Sequence, residues 1–242
     1  MKTNTAFRPL LKQEIDELIK NGCKAENWNS VMVSDGFEPS RVRNVSFDGM
    51  VRIGRLDGEV STAYGRENAG LYNVRLRNVE IGDNCRIENT GLIECTEETT
   101  FGNGHPISVL NEGGGRELRI TAITGAQSAY LTVFYRDNSR LIEAINKLID
   151  LYCEEVKSQT TRIGANSVVT NCGRITNIDA GPYTQIYGAT LLEKGTIVST
   201  EEAPVVIGPG VIAREFIFQK GSSIQDGAMV MASLIGEGTQ IG

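Results

Sequence analysis

Aliphatic residues recur along the chain in short units with one shared spacing. In each unit an Ile or Leu is followed three positions later by Asn or Gly, and then by a small or medium-sized residue. The units begin at Ile81, Ile163, Ile178, Leu192, Ile207, Ile224 and Ile235. Asn and Gly enter the left-handed backbone region at the least cost, so each predicts a sharp corner. The predicted corners are Asn84, Asn166, Gly181, Gly195, Gly210, Gly227 and Gly238.

Between these corners the chain is short and β-branched, as in Val168-Val169 and Val205-Val206. This pattern predicts short strands broken by tight turns. Some units follow each other without a gap, for example at Ile163, Val169 and Ile175. Repeats of this kind stack coil on coil, each contacting only its neighbours.

The Ile-Gly-x-Asn/Gly-small unit resembles the hexapeptide-repeat superfamily of trimeric transferases. The likeness covers Ile81 to Ile93 and Ile163 to Gly242. It implies a mainly β fold, a left-handed parallel β-helix solenoid, and an oligomer, with a trimer as the family's usual form. The handedness is implied by the resemblance alone.

Three segments carry a helical pattern instead. Pro9 to Asn21 predicts a helix that covers one end of the solenoid, since Pro9 suits a first turn and Gly22 an end. Ala126 to Tyr135 predicts a second helix. A third begins after a cap at Asp137, Asn138 or Ser139 and has an apolar face of Leu141, Ile142, Ile145, Leu148, Ile149, Tyr152 and Val156. The last two form an inserted helical hairpin.

These patterns divide the chain into four segments. Residues 1–30 are the N-terminal helical cap, and residues 31–120 are the first β-helix coils with loops. Residues 121–158 are the inserted hairpin, and residues 159–242 are regular coils. The sequence stops at Ile241-Gly242 in the middle of a unit, so we expect either that the native chain continues beyond it, which we favour, or that another subunit covers this end.

Composition narrows the class of protein. The net charge of −6 over 242 residues argues against nucleic acid or an anionic membrane as a partner. The N-terminus lacks an apolar signal core, and no apolar run is long enough to span a bilayer. The five cysteines are odd in number and widely spaced, which indicates reduced, packed thiols. We therefore expect a cytoplasmic protein.

The chemistry with the clearest pattern lies where the repeat is interrupted, between Phe101 and Glu117. This run holds His105, the single histidine of the chain, between glycine and proline. Hexapeptide acyltransferases use a histidine to deprotonate a hydroxyl or amine, so the resemblance implies that His105 is a catalytic base. Asn103, Asn111, Glu112 and Arg116 are the candidate substrate-binding residues. The alternative is a loop histidine that only makes local hydrogen bonds.

The same run can be compared with a phosphate-binding loop and with a zinc site. Gly113-Gly114-Gly115 followed by Arg116 could present backbone amides to a phosphate, but the run lacks the lysine and spacing of a phosphate loop, and a plain turn explains it as well. A zinc site with three histidines is not expected from one histidine per chain, and no metal is predicted.

The segment from Asn103 to Glu117, followed by the helical hairpin, also resembles an uncharacterised bacterial family of longer β-helix proteins without an established activity. Three functions remain open. The first is a transferase that moves an acyl group from acyl-CoA, used as a co-substrate, to a sugar or sugar nucleotide in a homo-oligomer. The second is a non-catalytic binding or scaffold module. The third is the β-helix part of a protein similar to sugar nucleotidyltransferases.

Overall fold

A computed structural model of the chain describes residues 6–108 and 114–242, and within them the fold is mainly β with three α-helices. The helices are α1 (Lys12–Lys20), α2 (Ala126–Phe134) and α3 (Ser139–Val156). The first ten strands are β1 (Phe7–Pro9), β2 (Lys24–Ala25), β3 (Val31–Ser34), β4 (Val42–Ile53), β5 (Glu59–Thr62), β6 (Gly65–Asn68), β7 (Gly70–Ile81), β8 (Arg86–Glu94), β9 (Pro106–Ile107) and β10 (Leu118–Arg119).

The strands after the helices are β11 (Thr161–Ile163), β12 (Val168–Thr170), β13 (Arg174–Ala180), β14 (Gln185–Tyr187), β15 (Leu191–Ile197), β16 (Val206–Ile207), β17 (Ile212–Phe218), β18 (Ser223–Ile224), β19 (Met229–Ile235) and β20 (Gln240–Ile241). Two single turns of 3₁₀-helix lie at Trp28–Ser30 and Pro39–Arg41.

Sixteen of these strands form one sheet, and nearly all of its pairings are parallel. Equivalent residues of successive strands stack in columns: Ile175 pairs with Leu192, Leu192 with Ala213, and Ala213 with Val230. All four side chains are buried. The aliphatic residue that opens each unit therefore points into a shared interior, as the sequence pattern predicts.

Four strands close into a ring of parallel pairings. β7 pairs with β8 and β11, and β13 pairs with β8 and β11 in turn. The expected mainly β architecture with added helices is confirmed. The finer expectation, a left-handed β-helix solenoid, is not what this pairing shows, because the long strands β7 and β8 each pair over two separate segments and close the ring.

Left-handed corners lie where the sequence predicts them at Asn84, Asn166, Gly210, Gly227 and Gly238, all with positive φ. Asparagines at another set of corners stack into a ladder joined by amide hydrogen bonds; its members are Asn44, Asn73, Asn89 and Asn171. Each side-chain amide therefore uses part of its hydrogen-bonding capacity on the next one, which is favourable in a partly exposed row of polar groups.

Two predicted corners are wrong. Gly181 and Gly195 do not have positive φ; Tyr183 and Lys194 are the left-handed residues in those units. The glycines serve close packing instead. A Cβ on Gly195 would lie 2.3 Å from the ring of Phe216, and one on Gly181 would lie 2.9 Å from the backbone of Ser199.

The first helix is shorter than predicted. Pro9 belongs to β1, which pairs antiparallel with β3, and α1 begins at Lys12. Glu14 accepts a hydrogen bond of 2.7 Å from the backbone N–H of Leu11, so this acidic side chain caps the helix N-terminus. Leu18 anchors the helix in the core.

The two later helices match their predicted positions closely. The side chain of Asn138 caps α3 by accepting a hydrogen bond of 3.2 Å from the N–H of Leu141. The strands β5 and β6 form an antiparallel hairpin between the long strands β4 and β7. Within the described parts of the chain, no helix has the length and apolarity needed to cross a membrane. The division into four segments stays a prediction.

Candidate functional site

His105 lies at the end of a tight glycine-bearing turn. Gly102 and Gly104 both have positive φ, at 78° and 83°. Two backbone hydrogen bonds join the turn to Ile120, the residue after β10: Gly104 N–H donates to the Ile120 carbonyl at 2.7 Å, and Ile120 N–H donates to the His105 carbonyl at 3.0 Å. This backbone bonding fixes the position from which the imidazole projects.

Asn103, a predicted substrate-binding residue, is 4% exposed and holds the turn from within. Its amide nitrogen donates to the Thr100 carbonyl and to the Thr196 hydroxyl, at 2.8 and 2.9 Å. Its amide oxygen accepts from the N–H of Ala122 at 2.8 Å. These bonds use most of the hydrogen-bonding capacity of the amide, so Asn103 supports His105 rather than facing solvent.

The turn packs directly against the main sheet. A Cβ on Gly102 would lie 2.7 Å from the carbonyl oxygen of Lys194 and 3.0 Å from that of Phe216. Only glycine permits this approach. The consequence is that the His105 turn sits beside the corners of β15 and β17.

The structure brings His105 together with Glu215 of β17. Nε2 of His105 lies 3.2 Å from a carboxylate oxygen of Glu215, and the histidine side chain is 27% exposed. The carboxylate faces Nε2, so a neutral ring that carries its proton on Nε2 has its lone pair on Nδ1. A histidine oriented by a carboxylate and open to solvent has the arrangement of a general base.

Glu215 occupies an unusual backbone position. Its φ is +54°, and the stacked residues Lys194 and Ala232 have φ of +53° and +45°. The residue at the same register position in β13 is Asn177, which is also left-handed. For a residue with an ordinary side chain this conformation costs about 1–2 kcal/mol. Residues held in sparsely populated conformations cluster at functional sites.

Lys194 extends the row of charges beside the turn. Its ammonium lies 2.9 Å from a carboxylate oxygen of Glu97. The hydrogen bond with Glu97 raises the pKa of Lys194 above its ordinary value, and the charges of Glu97, Glu193 and Glu215 act in the same direction. Lys194 is therefore a fixed positive charge next to the acidic partner of His105.

Sequence reasoning did not identify Lys194 or Glu215. Their position in the repeat could have identified them. The strand register aligns both with Asn177, which is itself left-handed and is a residue type that adopts this conformation readily. A lysine and a glutamate at positions that favour Asn or Gly are exceptions to the pattern, and exceptions of this kind mark candidate functional residues.

The third helix reaches the same turn. Arg119 donates from Nε to the carbonyl of Gly104 at 3.2 Å and forms an ion pair of 2.8 Å with Asp150 of α3. A Cβ on Gly104 would lie 2.7 Å from the sulfur of Cys153. The histidine turn is thus held between the sheet and the C-terminal half of α3.

Of the other predicted site residues, Arg116 alone lies among the described residues. Asn111 and Glu112 lie outside the described residues, as does Gly113. Arg116 is exposed, and Gly114 and Gly115 both have positive φ with open space around their Cα atoms. The phosphate-binding hypothesis for this run stays a prediction.

Comparison with known proteins places the chain. The family described as "Domain of unknown function (DUF4954)" matches residues 7–242. The chain belongs to this family. An uncharacterized protein of Treponema pallidum (strain Nichols) is 28% identical to this chain over an alignment of 235 residues, which covers 85% of this chain and 32% of the relative. The DUF4954 chain therefore spans about a third of that relative's length.

The resemblance to the hexapeptide-repeat superfamily is wrong. The matching family is DUF4954, and the strand pairing closes four strands into a ring. There is a physical reason why the repeat wrongly indicated that superfamily. An inward aliphatic residue followed by a left-handed corner is what any stacked parallel strand with a tight turn needs, so the spacing is not specific to one superfamily.

A surface groove lies away from His105 in the DUF4954 chain. The cavity measures about 620 Å³ and runs between the β5–β6 hairpin and the sheet; its lining is Arg43, Glu59, Arg66, Glu67, Asn68, Tyr72, Asn73, Arg86 and Glu88. Arg86 is held by Glu67 and Glu88 at 2.8 and 2.6 Å and stacks over Tyr72. Most of the groove lining is charged or amide-bearing, and Tyr72 adds an aromatic ring.

The cysteines of the chain lie in its interior. All five cysteines are free and buried. Burial raises the pKa of Cys85 to about 12 and that of Cys172 to about 11, so neither is a thiolate near neutral pH. Within residues 6–108 and 114–242, no three His, Cys, Asp or Glu side chains gather in a way that could hold a metal ion.

Proposed function

We propose that His105 is a general base, and that the DUF4954 chain transfers an acyl group from an acyl-CoA to a hydroxyl or amino group of a sugar or sugar nucleotide. One observation carries the proposal: the contact of 3.2 Å between Nε2 of His105 and the carboxylate of Glu215. A general base needs an oriented ring and access to the proton that it removes, and the partly exposed imidazole offers both.

The proposed reaction proceeds through His105 in two steps. The acceptor hydroxyl or amine gives its proton to Nδ1 as its oxygen or nitrogen attacks the carbonyl carbon of the thioester. The tetrahedral intermediate then collapses, the C–S bond breaks, and the CoA thiolate takes the proton from the imidazolium. Glu215 is a positioning residue that stabilises the imidazolium while it exists.

The backbone fixes the position from which Glu215 projects. Glu215 is held in the left-handed region, where Asn or Gly is less costly. Its neighbour Phe216 is fully buried, so the corner cannot relax outward. Lys194 and Ala232 share this conformation at the equivalent corners, so it fixes the direction of the Glu215 side chain without by itself marking chemistry.

The test is an acyl-transfer assay on the purified chain with acetyl-CoA as donor and glucosamine or UDP-glucosamine as acceptor, followed by the release of free CoA thiol. The expected result is thiol release that depends on the acceptor. His105→Ala should lower kcat by about 10²–10⁴-fold, the usual contribution of a general base.

Two further variants make the assay specific. Glu215→Gln should lower kcat, leave KM unchanged and alter the pH profile of kcat, because the positioning residue acts on the ring rather than on the substrate. Lys20→Ala, on the exposed face of α1, is the control for purification and folding and should match the wild type. Thiol release that persists in His105→Ala contradicts the assignment.

A second candidate function is the binding of a polar, anionic ligand without catalysis. The observation that favours it is the position of the groove, whose lining does not include His105. Arg66 is exposed there, and Arg43 donates to the Ser40 carbonyl through Nε at 3.4 Å. Guanidinium groups in a polar groove suit a phosphate or carboxylate.

Isothermal titration with UDP-glucosamine separates the two candidates. Binding that is lost in Arg43→Ala and Arg66→Ala but kept in His105→Ala, with no thiol release, supports the binding module. Binding and thiol release that are both independent of the two arginines contradict it.

A further inference from the structure

The two helices after the histidine turn pack poorly against the rest of the chain. No residue of α2 is buried, and Cys153 is the only buried residue of α3. Large apolar side chains are exposed along this segment: Ile123, Tyr130, Leu131, Val133, Phe134, Tyr135, Leu148 and Leu151. Helices of this length owe most of their stability to packing, and apolar surface concentrated in this way marks an interaction site.

The outward face of α3 has a regular composition. Six exposed residues share it: Arg140, Ala144, Lys147, Leu148, Leu151 and Glu155. With 3.6 residues per turn, they fall within an arc of about 100°. Leu148 and Leu151 are 67% and 60% exposed near the middle of the helix. The alternation of spacings between positions 144, 148, 151 and 155 is that of a helix–helix seam.

This face is complementary to itself when reversed. If a second α3 lies antiparallel with its ends aligned, Arg140 lies level with Glu155 of the second copy, and Glu155 with its Arg140. In the same alignment Ala144 lies level with Leu151, so a small side chain faces a large one, and Lys147 lies level with Leu148, so the two lysines flank the two-fold axis. A two-fold axis repeats every such contact, which is the requirement for an isologous dimer.

The parallel alternative is unfavourable. Two parallel copies in register place Arg140 beside Arg140 and Glu155 beside Glu155, and like charges at these positions repel. The charge order along α3 therefore selects an antiparallel copy of the same helix. The charge order also favours a second copy of α3 over an unrelated protein. An unrelated sequence would need an acidic residue opposite Arg140 and a basic residue opposite Glu155 independently.

We propose that the outward face of α3 is a homodimer interface, formed by antiparallel packing with a second copy of this chain. Leu148 and Leu151 form its apolar part, the two Lys147 side chains lie beside the two-fold axis, and the Arg140–Glu155 pairs lie at both ends. The interface does not depend on the function of His105, although α3 contacts the histidine turn through Asp150 and Cys153.

The test is the mass of the purified chain by analytical ultracentrifugation over a wide range of concentrations. The wild type should form a dimer in a concentration-dependent equilibrium. The double variant Leu148→Glu with Leu151→Glu should be monomeric. Tyr64→Glu is the matched control, because Tyr64 is 90% exposed on the β5–β6 turn and its substitution should leave the dimer intact.

A charge reversal gives the sharper result. Arg140→Glu alone or Glu155→Arg alone should raise the dimer Kd about tenfold, since each converts two attractive pairs into repulsive ones. The two changes combined should restore the wild-type Kd. Circular dichroism of each variant confirms that α3 is still folded.

Three results would overturn the proposal. One is a wild type that stays monomeric at every concentration. Another is an oligomer that survives the substitution of both leucines. The third is a double charge reversal that is as weak as the single ones, because only an antiparallel copy of the same helix restores complementarity.

Discussion

Replacement of Glu215 by Asn should make the protein more stable, although it removes the carboxylate that contacts His105. Glu215 has φ +54°, and relief of a left-handed conformation by a residue that tolerates it should contribute about 1 kcal/mol. The change also removes the pair with His105. Both side chains are partly exposed, at 27% and 42%, so the pair should contribute at most about 1 kcal/mol. The net effect should lie between zero and about 1 kcal/mol of stabilisation.

Ala232 provides a matched control for the strain. It lies at the equivalent corner of β19, with φ +45°, and carries no charge. Ala232→Asn should therefore stabilise the fold by the strain relief alone, about 1 kcal/mol. The difference between the two variants gives the contribution of the His105–Glu215 pair.

Denaturant unfolding followed by circular dichroism measures both changes. A gain of 1 kcal/mol should also raise Tm by about 2–4 °C in a chain of this size. The reasoning is refuted if Ala232→Asn fails to stabilise, because the corner is then not strained. It is equally refuted if Glu215→Asn is destabilising by several kcal/mol, since a partly exposed pair cannot account for such a loss.

The remaining predictions concern thiols and acid. Cys85, whose pKa burial raises to about 12, should not react with a thiol reagent at neutral pH in the native state and should react at once in denaturant; rapid native labelling would show that the site opens. The hydrogen bond from Arg8 lowers the pKa of Glu14. Its contribution to stability should be present above the unfolded pKa of about 4.3 and be lost as pH falls through the folded value. Urea titrations of wild type and Glu14→Gln should therefore converge at acid pH, and a gap that stays constant there contradicts the assignment.

Much of the strand pattern could be predicted because its rules are local. An inward aliphatic residue and an Asn or Gly three positions later suffice to place corners such as Asn84 and Asn166. The rule fails at Gly195, because tertiary packing decides there. The Phe216 ring needs the space beside Gly195, and the left-handed conformation moves to Lys194.

The positions of the helices could be predicted from the sequence, but their burial could not. Their positions follow from amphipathic spacing and from the cap at Asn138. Their burial does not follow, because an apolar face predicts a partner without saying that the partner is in the same chain. Leu148 and Leu151 are exposed for this reason.

The candidate site could be predicted only in part. His105 stood out as a single histidine in an interrupted repeat, and it is partly exposed on a fixed turn. Its partner Glu215 lies far along the sequence and meets it only because parallel strands stack β17 beside the Gly102 turn. No local spacing encodes that contact.

The most direct test of the account is the tautomer of His105, measured by nitrogen-15 NMR on the untagged chain at a pH where the ring is neutral. With one histidine in the sequence, the spectrum contains a single imidazole. The account predicts a proton on Nε2, donated to Glu215, and a free lone pair on Nδ1, with Glu215→Asn losing this preference. A proton on Nδ1 in the wild type, or a spectrum that Glu215→Asn leaves unchanged, would contradict the claim that Glu215 orients His105 as a base.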